Sequence, residues 1–72
     1  MTISFAVRGE YIQLDQLLKA TGLTGTGGEA HSAVEAGLVR VDGHAESRKR
    51  AKLRPGQTVS FGSETVVLVA AA

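Results

Sequence analysis

The sequence predicts an α+β fold, with a helix pair packed on a small, mostly antiparallel sheet. Three observations predict it. Apolar and polar residues alternate over Thr2–Arg8 and again after Gly37, the two-residue period of half-buried strands. Between those stretches the spacing becomes helical, with Leu14, Leu17, Leu18 and Thr21 in one run and Ala30, Ala33 and Val34 in another. Asp-Gly, Pro-Gly and Gly-Ser pairs then punctuate the second half at the short intervals of hairpins.

The first strand is expected over Thr2–Arg8, where Ile3, Phe5 and Val7 alternate with Ser4, Ala6 and Arg8. A short helix follows from about Leu14 to Thr21. Asp15 near its start and Lys19 near its end complement the helix dipole, and Gly22 stops it. The glycine-rich stretch from Gly22 to Gly28 is a turn that leads into a second helix. Thr26 is its expected N-cap, and Glu29, three residues on, completes a capping box. Ala30, Ala33 and Val34 form its buried stripe and Gly37 its stop. Alanines on that stripe predict close approach to the first helix.

After Gly37 the period is two, with Leu38, Val39 and Val41 apolar and Arg40 and Asp42 polar. Asp42-Gly43 predicts a tight turn between strands. A basic loop runs from Glu46 to Arg54. Arg54-Pro55-Gly56-Gln57 suits a type II turn, because proline fixes one φ and glycine accepts the positive one. Thr58–Phe61 and Thr65–Val69 form a hairpin, with Gly62-Ser63 as a type II′ turn at its tip. The expected order is β-α-α-β-β-β, without repeat or linker, and Ala70–Ala72 is expected to fray.

Residues 1–72 are expected to make one domain. A chain this short buries only roughly 60% of its unfolded surface. That allows one modest core and argues against a core plus a roomy catalytic cleft. Apolar residues make up 43% of the chain, enough for a globular protein. The chain has no cysteine, which removes a disulfide framework, a thiolate zinc site and a cysteine nucleophile. Its absence also fits a reducing cytosol, so a cytoplasmic location is expected. No apolar run approaches the ~20 residues that span a bilayer, and no signal-peptide pattern opens the chain.

Net charge is only +1, but it is unevenly spread. Arg40, Arg48, Lys49, Arg50, Lys52 and Arg54 face only Asp42 and Glu46 within the same fifteen residues, a local net of +4. The rest of the chain carries −3. One end should attract polyanions. If the loop is partly extended, Arg48, Arg50, Lys52 and Arg54 share one side, roughly 6–7 Å apart at ~3.3 Å per residue. Arginine also forks onto phosphate oxygens. A purely solubilising loop has no need to crowd five cations into seven residues.

The other features are weaker. Three aromatics are present, and Phe5 and Phe61 fall in phase with core positions, which leaves Tyr11. Single-strand binders rely on exposed aromatic platforms, so recognition by shape and phosphate contacts is expected. Neither helix carries a row of base-reading side chains for DNA. The turn Gly25-Thr26-Gly27-Gly28 offers free N–H groups at a helix start, where Gly27 and Gly28 let a phosphate approach. A tight, capped turn is the simpler reading of the same residues. It lacks the Gly-Lys-Ser/Thr of a nucleotide loop. His31 and His44 lack further metal ligands at suitable spacing, and a surface or half-buried histidine is the simpler reading of both. His31 is a donor to phosphate when protonated. No nucleophile–base pattern is visible, and neither enzyme activity nor a cofactor is expected.

Leu14-Asp15-Gln16-Leu17-Leu18-Lys19, Gly22-Leu23, Ala30 and Gly37-Leu38-Val39-Arg40-Val41-Asp42-Gly43 together resemble the S4-like RNA-binding domain family. Glu46-Ser47-Arg48-Lys49-Arg50-Ala51-Lys52-Leu53 and Gly56-Gln57-Thr58-Val59-Ser60-Phe61 resemble its small standalone bacterial members of the YbcJ type. The resemblance covers nearly the whole chain. It implies the S4-like, alpha-L arrangement of a helix pair on a small sheet. It also implies RNA contact by the start of the second helix and the adjoining basic loop. Many relatives carry Ser-Arg at that helix start and a further basic residue after the helix alanine. Here Thr26-Gly27 and His31 stand in those places, which shifts weight onto the loop. Enzymes with this domain do their chemistry in a separate one, so no activity carries over.

The expected function is therefore non-catalytic binding of structured RNA, ribosomal or transfer, by a monomer without cofactor, membrane or small-molecule substrate. The expected RNA-binding residues are Arg40, Arg48, Lys49, Arg50, Lys52, Arg54, Gly27, Gly28 and His31. The alternative is a protein-interaction module whose basic loop docks an acidic protein. A sulfur carrier of the β-grasp type would end in Gly-Gly, and this sequence ends Ala70-Ala71-Ala72.

Overall fold

β1 (Thr2–Val7) buries or half-buries Ile3, Phe5 and Val7 and exposes Ser4 and Ala6, as strict alternation requires. The computed structural model describes residues 1–71. Gly9, at φ 79°, turns the chain toward β2 (Ile12–Gln13), which runs directly into α1 (Leu14–Ala20). Leu14, Leu17 and Leu18 of α1 are completely buried. Thr21 ends the helix as its C-cap, its hydroxyl donating to the Leu17 carbonyl at 2.8 Å.

α2 (Gly27–Glu35) starts as its sequence predicts. The Thr26 hydroxyl accepts the Glu29 N–H at 3.1 Å. The returning bond differs slightly from a standard capping box, because the Glu29 carboxylate accepts from Gly25, one residue before the cap, at 3.3 Å. Ala30, Ala33 and Val34 are buried toward α1, so the small-residue stripe joins the shared core.

Five further strands follow: β3 (Val39–Val41), β4 (His44–Ala45), β5 (Lys52–Leu53), β6 (Thr58–Phe61) and β7 (Glu64–Ala70). A five-stranded sheet has the order β1-β7-β6-β3-β4. Its pairs are antiparallel except β1–β7, which is parallel with Phe5 opposite Leu68. β2 and β5 form a separate antiparallel ribbon. Val39, Val59, Val66 and Leu68 turn to the helices and close the core with the leucines of α1.

The turns follow their residues. Asp42 and Gly43 take φ of 51° and 84° between paired Val41 and His44, the two positive values of a type I′ hairpin. Gly56 has φ 96°, and the Gln57 N–H closes on the Arg54 carbonyl at 3.2 Å, a type II turn. Gly62, at φ 62°, opens the two-residue connection between Phe61 and Glu64.

Several expectations are corrected. The order β-α-α-β-β-β omits the two-residue strands β2, β4 and β5, and the last of these lies inside the expected basic loop. The strand expected after Gly37 begins only at Val39, which leaves apolar Leu38 before it and 57% exposed. Ala70 does not fray: it ends β7 opposite Val7, and the Ala71 N–H donates to the Val7 carbonyl at 3.1 Å. Ala72, the last residue of that expected frayed end, lies outside the described residues.

Candidate nucleic-acid interface

The basic segment is fastened to the start of α1. The first two N–H groups of that helix, from Leu14 and Asp15, donate to the carbonyls of Ala51 and Lys49, each at 2.9 Å. Such groups have no partner inside their own helix. Gln13, the N-cap residue, supplies no side-chain bond. Backbone carbonyls of the basic segment therefore cap α1 in its place. The Ala51 N–H closes a turn onto the Arg48 carbonyl at 3.1 Å. Beyond it β5 pairs with β2, Lys52 opposite Gln13 and Leu53 opposite Ile12.

This anchoring decides which cations point outward. Ala51 and Leu53 enter the core at 6% and 2% exposure. Arg50, Lys52 and Arg54 alternate with them and are exposed. Arg48 lies across the turn, yet it lines the same open depression of about 410 Å³ as Arg50, Ala51 and Lys52. The fastened backbone fixes where three or four cations emerge before any ligand arrives.

Not every cation is free. Arg48 forks onto Glu46: its Nε donates to Oε2 at 3.2 Å and its Nη2 to Oε1 at 3.1 Å. Its backbone N–H also donates to Oε2, at 3.1 Å. The guanidinium bond is the main reason the Glu46 carboxyl titrates below the usual range, and in return Glu46 holds the arginine more firmly charged. Lys49 reaches Glu35 at the end of α2, Nζ to Oε1 at 3.8 Å, a mostly exposed pair. The Lys52 ammonium sits 5.0 Å from the centroid of the Tyr11 ring, which orients it without cancelling its charge. Counted from sequence, the five cations between Arg48 and Arg54 are equivalent; in the structure Arg50, Lys52 and Arg54 carry no acidic partner among the described residues.

The remaining sequence candidates lie elsewhere. Arg40 is exposed on the face of the five-stranded sheet opposite the core, beside Ser60 and Ala45. His31 bridges the helix pair, its Nε2 at 3.1 Å from Asp15 Oδ2. Gly27 and Gly28 open α2, whereas Lys49 meets the last residue of that helix. Eight residues separate the two ends, about 12 Å at ~1.5 Å per residue. The carboxylate of Glu29 also stands beside that helix start. The structure thus brings Arg48, Arg50 and Lys52 together, with Arg54 next along the ribbon. It does not join Gly27 and Gly28 to them. Among the described residues no three His, Asp or Glu side chains gather as a metal site, and no helix is long and apolar enough to cross a membrane.

Sequence reasoning missed two participants. The sequence shows Glu46 only as a charge, although its place two residues before Arg48 signals a local pair. Tyr11 is the one aromatic that the strand pattern leaves uncommitted, and its link to Lys52 depends on a two-residue ribbon that periodicity does not reveal.

The family model of the S4 domain matches residues 5–69. A putative RNA-binding protein, YbcJ of Escherichia coli (strain K12), is 45% identical over 60 residues, covering 83% of this chain and 86% of that protein. A Shigella flexneri protein of the same name but uncharacterised matches to the same extent. The solution structure of Escherichia coli YbcJ, described as revealing an αL motif involved in RNA-binding, superimposes with a TM-score of 0.67 at 42% identity. That match covers 96% of this chain and 86% of the other.

Proposed function

This chain belongs to the S4 domain family, and from that premise we propose that it binds structured RNA through phosphate contacts along the β2–β5 ribbon. One observation carries the reading: Arg50, Lys52 and Arg54 project from a backbone that is hydrogen-bonded to the start of α1, with no acidic partner among the described residues. A backbone already fixed in place spares the cost of ordering the segment when a polyanion binds, and leaves only the side chains to settle. RNA phosphates are the matching ligand, since one negative charge recurs at every nucleotide and arginine grips its oxygens in pairs. Arg48 joins when phosphate displaces Glu46, and Lys49 and Arg40 add longer-range attraction.

Folded RNA, of the ribosomal or transfer kind, is favoured over flexible single strands. Phe5 and Phe61 are partly buried in the core, so no row of aromatic platforms is available for successive bases. A rigid charged edge instead reads the path of a phosphate backbone. The role is binding alone: the ribbon presents cations and apolar anchors rather than a nucleophile with its base.

A direct test is titration of a folded RNA with the wild type and with Arg50→Ala/Lys52→Ala/Arg54→Ala, folding being checked by circular dichroism. The triple variant should stay folded and bind at least tenfold more weakly at moderate salt. Unchanged affinity in a folded triple variant would reject the reading.

A further inference from the structure

We infer that the cleft between the outer edge of β1 and the start of α1 receives one unpaired nucleobase of the bound RNA, with Tyr11 as its stacking ring. This rests on the RNA-binding reading and deepens it. The cleft has a volume of about 290 Å³ and is lined by Phe5, Ala6, Arg8, Tyr11, Ile12 and Gln16. That is just below the ~300–1,000 Å³ of pockets for drug-sized ligands, and it suits a single planar base.

Its chemistry matches a base in three ways. Tyr11 is 39% exposed, so ring surface is available, and one stacked base needs one such ring. The Gln16 amide offers both a donor and an acceptor, and Arg8 offers donors, which suits the mixed edge of a base. Among the described residues β1 is an edge strand that pairs only with β7, so its outer edge presents backbone N–H and C=O groups with no ladder partner there.

Position makes the same case. Lys52 lines the basic depression and also sits 5.0 Å from the Tyr11 centroid. A phosphate held at Lys52 therefore places its own or the adjoining base at the mouth of the cleft. Because a base in a continuous duplex is stacked and unavailable, the site selects RNA with a bulge or an unpaired junction nucleotide.

The test uses one RNA hairpin in two forms, fully paired and with a single bulged 2-aminopurine, titrated with the wild type, Tyr11→Ala, Tyr11→Phe and Gln16→Ala. The wild type should bind the bulged form about tenfold tighter, the scale of one base stacked on an aromatic ring. Its 2-aminopurine emission should change on binding. Tyr11→Ala should lose the preference for the bulge, and Tyr11→Phe, which keeps the ring beside Lys52, should retain it. Gln16→Ala, an exposed helix position, should reduce the preference without touching the ring. Equal wild-type affinity for both hairpins would overturn the inference and leave RNA binding standing. Failure to bind either hairpin would overturn RNA binding and the inference with it.

Discussion

The guanidinium of Arg48 and the carboxylate of Glu46 form a two-pronged pair at 3.1 and 3.2 Å, inside the most basic stretch of the chain. The Arg48 side chain is 78% exposed whereas that of Glu46 is only 16% exposed, so a phosphate can reach the arginine from its open side. On the proposed reading Glu46 is a local brake on RNA affinity, and it also fixes the turn by accepting the Arg48 N–H.

Glu46→Gln should release the Arg48 guanidinium. RNA affinity is expected to rise by about 3- to 10-fold at low salt, with the salt dependence steepening by ~0.7–0.9 in log–log slope, one added phosphate contact. Anisotropy titrations of wild type and variant at several salt concentrations measure both. A fall in affinity would show that Glu46 positions Arg48 for RNA rather than restraining it.

The same pair sets a pH dependence of stability. The Glu46 carboxyl titrates lower folded than unfolded, chiefly through its bond to Arg48. Its stabilising contribution is complete above the unfolded value of about 4.3 and is lost as pH falls through the lower folded value. Urea midpoints of the wild type relative to Glu46→Gln should thus differ near pH 6 and converge on acidification below about pH 4. A difference that persisted at the lowest pH would point away from this carboxylate.

His31 is bonded to Asp15 across the helix pair, so its first role is to tie α1 to α2. His31→Ala should lower stability by about 1 kcal/mol, the worth of one hydrogen bond, and change RNA affinity less than twofold. Chemical denaturation and RNA titration on the same sample separate these effects. Affinity lost at unchanged stability would place His31 against the RNA.

Gly27 occupies the first turn of α2 with no atom near its missing side chain and no positive φ. Gly27→Ala should then raise stability by about 0.5 kcal/mol, because alanine restricts the unfolded chain. RNA affinity should be unchanged if contact is confined to the ribbon. A tenfold loss in a stabilised variant would show that a phosphate approaches the helix start closely enough to need glycine.

Local chemistry was legible and remote pairing was not. The Thr26 cap, the Asp42-Gly43 turn and the Pro55-Gly56 turn each follow from residues adjacent in sequence, and each formed as read. The leucines of α1 and the alanines of α2 showed their buried faces through spacing alone. By contrast, β2 and β5 are two residues each and exist only because distant Ile12 and Leu53 meet. The parallel pairing of β1 with β7 joins the two ends of the chain, which no local period can signal. In the basic segment, alternation disclosed the outward side of Arg50, Lys52 and Arg54, since Ala51 and Leu53 between them are apolar. The partners of Arg48 and Lys49 stayed hidden, because charge counts do not say which acid folds back on which base.

The salt dependence of RNA affinity tests the ribbon most directly. Arg50, Lys52 and Arg54, with Arg48 as a fourth contact, predict a log-affinity against log-salt slope of about −2 to −4, at ~0.7–0.9 per phosphate. A slope in that range, flattened by Arg50→Ala, is the expected result. A slope near zero for the wild type, at any affinity, would contradict phosphate binding by these cations.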